Sequence, residues 1–132
     1  MQSEPLRIRQ TGTTNAGTAV NIDTPTIQPG NYAEIAHLAL MNRTGESVTV
    51  EFGIVDIVGF EQIYAKQTVA DGDAFGVPVE FCILEGDKLR AVVTGTANKS
   101  TVTFLVSGKL YTPEPVTADP PAATTQQQQR TY

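Results

Sequence analysis

Alternation with a period of two residues runs through most of the chain, and it limits the possible folds more than any other feature. Val48, Val50, Phe52 and Ile54 fall on one side of a strand, with Thr49, Glu51 and Gly53 on the other. Val77, Val79, Phe81 and Ile83 repeat the pattern, as do Leu89, Ala91 and Val93, and then Val102, Phe104, Val106 and Leu110. Successive side chains of a strand point to opposite faces of a sheet, so these runs read as half-buried β-strands. Leu6 and Ile8 mark a first strand, Ala19 to Ile22 a short second and Tyr32 to Met41 a third, with Tyr64 to Val69 a weaker candidate. Asn31 to Met41 has room for one or two helical turns, but a strand is expected there, and no other segment predicts a helix.

Turn chemistry separates the runs. Thr14-Asn15-Ala16-Gly17, Gln28-Pro29-Gly30-Asn31, Asn42-Arg43-Thr44-Gly45, Asp71-Gly72-Asp73, Glu85-Gly86-Asp87 and the stretch Gly95 to Lys99 supply glycine, asparagine or aspartate. These residues tolerate the conformations that reverse a strand. The expected fold is therefore all-β: one antiparallel β-sandwich or jelly roll of about eight strands over residues 1–111. From Thr112 to Tyr132 the composition changes. Pro113, Pro115, Pro120 and Pro121 are half of the chain's 8 prolines, and Gln126 to Gln129 follow. Too few apolar groups remain to offset the entropy of ordering, so residues 112–132 are expected to form an extended arm. At about 3.3 Å per residue it would reach roughly 65 Å.

The residue types that carry catalysis are sparse. His37 is the only histidine, and a jelly-roll metal enzyme needs several converging on one ion. Ser3, Ser47 and Ser100 sit in no nucleophile-elbow pattern. Asp71 and Asp73 offer two oxygens where calcium wants six to eight, so a hairpin turn is the simpler reading, and Glu85 with Asp87 reads the same way. No phosphate-binding glycine motif is present. Asn42-Arg43-Thr44 and Asn98-Lys99-Ser100 match the glycosylation sequon and are expected to mark exposed turns. Cys82, the single cysteine, lies between Phe81 and Ile83 and is expected to be a small buried hydrophobe. No enzyme activity, cofactor or metal is expected.

Charge narrows the partners. Asp and Glu number 14 against 9 Lys and Arg, a formal net charge of −5. Arg7 and Arg9 would share one face of the first strand, but there is no basic stripe of the kind that displaces counterions from phosphate. No nucleic-acid partner is expected. No stretch approaches the roughly 20 apolar residues of a membrane span, and Met1 to Gln10 has no apolar core of a secretory signal. A soluble protein made in a cytoplasm is the expectation.

The order of the pieces matters as well. Ile27-Gln28-Pro29-Gly30-Asn31 leads into Ile35 to Leu40, then Asn42-Arg43-Thr44-Gly45 and Val48 to Val55. Later come Leu84-Glu85-Gly86-Asp87-Lys88-Leu89-Arg90-Ala91 and the final strand Val102 to Leu110. Over residues 5–111 this layout resembles the small β-sandwich virion proteins of tailed bacteriophages, which include capsid decoration (cement) proteins and head-tail accessory subunits. It departs from receptor-binding tail proteins in lacking tryptophan and a trimeric stalk. The resemblance implies a virion location and symmetric copies, hence a homo-oligomer that binds a major capsid protein or other virion subunits. On that reading the protein is a decoration subunit that clamps the head shell. A head-tail connector, tail or fibre-base role is the alternative. A third option is a carbohydrate-binding module with a concave site built from Phe60, Tyr64 and Phe75 near Asp71 and Asp73. The expected partner-binding residues are Pro113, Pro115, Val116, Pro120, Pro121, Arg130 and Tyr132 in the arm, with Leu6, Arg7 and Ile8 as a second attachment.

Overall fold

The computed structural model describes residues 2–96 and 98–113. They form eight strands: β1 (Gln2–Thr13), β2 (Val20–Asp23), β3 (Tyr32–Asn42), β4 (Val48–Val55), β5 (Phe60–Val69), β6 (Ala74–Leu84), β7 (Lys88–Gly95) and β8 (Thr101–Thr112). Among the described residues there is no helix, and so none long and apolar enough to cross a membrane. The strands build two four-stranded antiparallel sheets, the first in the order β1-β8-β3-β6 and the second in the order β2-β7-β4-β5.

The pairings are nested. β1 pairs with β8, β2 with β7, β3 with β6 and β4 with β5. The chain is in effect one long hairpin whose tip is the β4–β5 turn, rolled so that successive strand pairs fall alternately in the two sheets. That is the jelly-roll arrangement. It places the turns β1–β2, β3–β4, β5–β6 and β7–β8 at one end of the sandwich. The β2–β3, β4–β5 and β6–β7 turns lie at the other, together with the start of β1 and the end of β8.

The alternating apolar residues meet between the sheets. Leu38, Leu40, Val102 and Phe104 from the first sheet and Val48, Val50, Phe52, Leu89 and Val93 from the second are all buried. Phe52 crosses the gap to stack on Phe104, ring centroids 5.6 Å apart, and on Phe75 at 6.1 Å. Sheet packing of this kind fixes register, because slipping a strand by one residue would turn its whole apolar set outward. One irregularity interrupts the first sheet, a bulge in β3 between Ile35 and His37. It needs Gly108, where any Cβ would overlap the Glu34 carbonyl oxygen.

Two expectations fail here for local reasons. Cys82 is exposed. Its sequence neighbours Phe81 and Ile83 point inward, and the same period of two that buries them turns the cysteine out. Asn42 is fully buried, although the turn it opens is exposed at Arg43 and Gly45. Its Nδ2 donates to the carbonyls of Glu46 (2.7 Å) and Val69 (2.9 Å), while its Oδ1 accepts from the Thr44 amide (3.0 Å) and hydroxyl (2.7 Å). The asparagine thus staples the β3–β4 turn to the end of β5, and every bond it forms would be costly to leave unmade. Asn98 of the second sequon is exposed, as expected.

Candidate functional site

The β4–β5 turn projects two aliphatic side chains into solvent. Asp56 holds that turn. Its Oδ1 accepts hydrogen bonds from the amides of Val58 (2.8 Å) and Gly59 (3.1 Å), and its backbone exchanges two more with Gly59. Gly59, at φ +138°, closes the turn in a conformation side chains resist. The two residues between them, Ile57 and Val58, are 101% and 92% exposed. Hairpin tips are usually polar, because Gly, Asn, Asp and Ser suit the geometry. Here a fixed turn presents two β-branched aliphatic side chains to solvent. No turn signal of the expected kind covers Ile57 and Val58, which is why the turn and the first residues of β5 escape a reading by composition.

On the outer face of the second sheet one carboxylate and two cations are paired. Asp23 on β2 accepts from Arg90 Nε (2.7 Å) and Nη2 (3.0 Å), and Lys88 Nζ lies 2.9 Å from the same carboxylate. The Arg90 guanidinium also sits 6.0 Å from the centroid of the Phe60 ring, a cation–π contact. Phe60 lies across Gly53, which has no room for a Cβ beneath the ring. The Arg90 hydrogen bonds hold the Asp23 carboxyl below its ordinary range, against the opposing effect of partial burial.

The outer face of the first sheet is different. Register sets residues side by side across its four strands: Pro5, Lys109, Glu34 and Cys82 form one row, and Arg7, Ser107, His37 and Pro78 the next. At the end near the chain termini, Tyr32 and Tyr111 stack at 4.7 Å with rings 8° apart, flanked by Leu84, which is 60% exposed. The Tyr111 hydroxyl donates to Glu34 Oε1 at 2.9 Å, and this bond raises the phenol's pKa. A groove of about 1090 Å³ follows the β3 bulge across all four strands, lined among others by Pro5, Arg7, Glu34, Pro78, Glu80 and Lys109.

Of the residues expected to bind partners, Leu6 and Ile8 are half-buried and pack against the core, while Arg7 between them points to solvent. Pro113 is exposed, its ring 3.5 Å from where a Cβ on Gly30 would stand. Pro115, Val116, Pro120, Pro121, Arg130 and Tyr132 lie outside the described residues. The aromatic residues of the expected sugar site do not converge. Tyr64 packs on Phe75 at 5.8 Å along the flank of the core, and Phe60 lies on the outer face beside Arg90. Asp71 and Asp73 sit in the β5–β6 turn, at the far end of the sandwich from Phe60, where Asp71 Oδ1 accepts from the Gly45 amide at 2.8 Å and the Asp73 amide closes its turn onto the Ala70 carbonyl. Glu85 accepts from the Gly30 amide at 2.9 Å, and Asp87 closes the β6–β7 turn. Among the described residues no three histidines, cysteines or carboxylates gather as metal ligands would. His37 is exposed, with its ring lying over Gly76.

No protein-family model matches the chain, and no curated protein matches it. Several solved structures resemble it. One is a chain from Bacillus endospore appendages, described as a novel family of disulfide-linked pili, with 24% identity, 83% of this chain and 88% of that one covered, and a TM-score of 0.49. A second is PirA, with 10% identity, coverage of 74% and 92%, and a TM-score of 0.53. The third is a chain of the T13 viral particle of infectious bursal disease virus, with 13% identity and a TM-score of 0.50. It is covered over 80% of this chain but only 30% of its own length. At these identities the likeness to PirA and to the viral chain is one of fold, and the appendage chain, at its lower TM-score, adds no weight. None of the three singles out tailed phages.

Proposed function

We propose that this chain is a non-enzymatic structural subunit of an assembled particle, on the finer reading a decoration subunit that binds the outside of a viral shell. The observation that carries this is the fixed turn with Ile57 and Val58 held in solvent. Leaving a valine or isoleucine exposed forgoes roughly 1.5–3 kcal/mol each that burial would return, and a rigid turn loses little further entropy on docking. The jelly-roll strand order and the likeness in fold to a chain of a viral particle support the same reading, as does the resemblance to phage decoration proteins. In it the turn seats in an apolar recess of the shell. The segment after Pro113 runs across a neighbour, with Pro115, Val116, Pro120, Pro121, Arg130 and Tyr132 making contact. Tyr132 is the strongest anchor, because tyrosine gives a large contact area for little entropy. Many copies on a symmetric shell compensate for weak single contacts.

The test is co-sedimentation with purified shells or particles from the source that encodes the chain. Ile57→Asp combined with Val58→Asp is expected to abolish binding with the melting temperature unchanged, since neither side chain touches the core. A chain ending at Pro113, which keeps all of β8, is expected to fold and to bind at least about tenfold more weakly. Undiminished binding by both variants would overturn the reading.

A further inference from the structure

The outer face of the first sheet carries its charges in two separate halves. Arg7 and Arg9 on β1 and Lys109 on β8 occupy one side, and Glu34 on β3 and Glu80 on β6 the other. All five are exposed. Glu34 and Lys109 are direct register partners across the midline, yet the ion pairs found among the described residues are those of Asp23 with Lys88 and Arg90. The apolar groups on this face, Pro5, Pro78, Leu84 and the Tyr32–Tyr111 stack, are spread along the same surface. Both edge strands carry a proline, Pro5 in β1 and Pro78 in β6. A proline has no N–H to offer a ladder, so it hinders strand addition at an edge. The face is therefore better suited to docking than the edges.

We infer that this face binds the same face of a second copy of the chain, about a two-fold axis that runs along the strands. That axis lays β1 of one copy over β6 of the other, and β8 over β3. Lys109 then meets Glu34 of its partner twice over, and the Arg7 side meets the Glu80 side. The other in-plane two-fold, running across the strands, would set β1 on β1 and β8 on β8 and bring like charges together, which costs several kcal/mol across an interface. Charge thus selects both the occupant and the axis. Four strands about 4.8 Å apart and about ten residues long at 3.3 Å give a face of roughly 600 Å². Two such faces bury about 1,200 Å², the lower end for a specific interface. The groove beside the β3 bulge lies inside this footprint. The inference rests on the structural-subunit reading and names one of its contacts; the β4–β5 turn is left free for a different one.

Charge reversal tests it on the full-length protein, with mass measured by sedimentation and light scattering. The wild type is expected to dimerise. Glu34→Lys sets lysine against Lys109, and Lys109→Glu sets glutamate against Glu34. Each variant alone is expected to dimerise at least about tenfold more weakly. Mixed together, the two are expected to form a heterodimer, because every juxtaposition is then complementary, and this recovery excludes misfolding as the cause of the loss. Geometry supplies a second measurement. Packed sheets lie about 10 Å apart, beyond disulfide reach, so a short bismaleimide is the probe. Pro5→Cys, which places a thiol opposite Cys82 of the other copy, is expected to yield covalent dimer, and the wild type, with Cys82 alone, none. A monomeric wild type, singles that dimerise like the wild type, or wild-type dimer linked through Cys82 would each overturn the inference. None of these results touches the shell-binding test with the Ile57 and Val58 variant, so the two readings fail separately.

Discussion

The two outer faces of the sandwich are made from the same kind of strand and use charge in opposite ways. On the second sheet Asp23, Lys88 and Arg90 satisfy one another, and the Phe60 ring lies over Gly53. Those three charges are satisfied within one chain. On the first sheet the cations lie on β1 and β8 and the carboxylates on β3 and β6, and the ion pairs found among the described residues include none of them; they surround a groove beside an exposed leucine. A charge that is paired locally adds to the stability of a single chain, whereas one left to solvent adds almost nothing until something else approaches it. The contrast separates residues that hold the fold from residues available to a partner.

Substitutions can break or sharpen that contrast. The largest effect is expected at Gly53, where Gly53→Ala forces the new methyl into the Phe60 ring and the Glu61 carbonyl. Overpacking against backbone should cost about 3 kcal/mol, read as a drop in the denaturant midpoint. Asp23→Asn removes a partly buried two-pronged bond with Arg90 and should cost about 1 kcal/mol in the same assay. The pH dependence of that cost has a definite sign. The Asp23 carboxyl titrates below its ordinary 3.8 in the folded chain, so its contribution is complete above that value and fades as the pH falls through the folded one. Wild type and Asp23→Asn should therefore converge in stability in acid and diverge toward neutral pH. The smallest change is expected on the open face, where Arg9→Ala and Glu80→Gln should each move the stability of the single chain by less than about 0.5 kcal/mol. A drop of 2 kcal/mol at either would mean that the open face is as closed as the other.

Much of the fold could be read from the sequence because it depends on period two. The inward sets Val48, Val50 and Phe52, Leu89, Ala91 and Val93, and Val102, Phe104 and Val106 are buried as the alternation requires. The strand from Tyr32 is a strand despite its helical possibilities. What escaped depends on a residue's partner across space. Cys82 was judged by its chain neighbours, which face the other way. Asn42 carries a sequon that suits an exposed turn, but its side chain is consumed by carbonyls from β5 and the following turn. The aromatic trio expected to form one site was divided by the β4–β5 irregularities, which leave Phe60 outside and bring Tyr64 against Phe75. Ile57 and Val58 look like the continuation of an apolar strand until Asp56 is seen folding them into a tip. The charge halves of the first sheet become visible only when the strand order brings β1 beside β8 and β3 beside β6.

The nested pairing has a kinetic consequence. Only β4 and β5 are both consecutive in sequence and adjacent in a sheet; each further pair joins segments more distant along the chain, ending with Gln2 opposite Thr112. Relative contact order is therefore high, and folding should be slow for a domain of this length. The β4–β5 hairpin is the local structure able to form first, with closure spreading outward from it. Until β8 has left the ribosome, β1 and β3 both lack the strand that lies between them, so a nascent chain exposes the interior of the first sheet until that strand arrives.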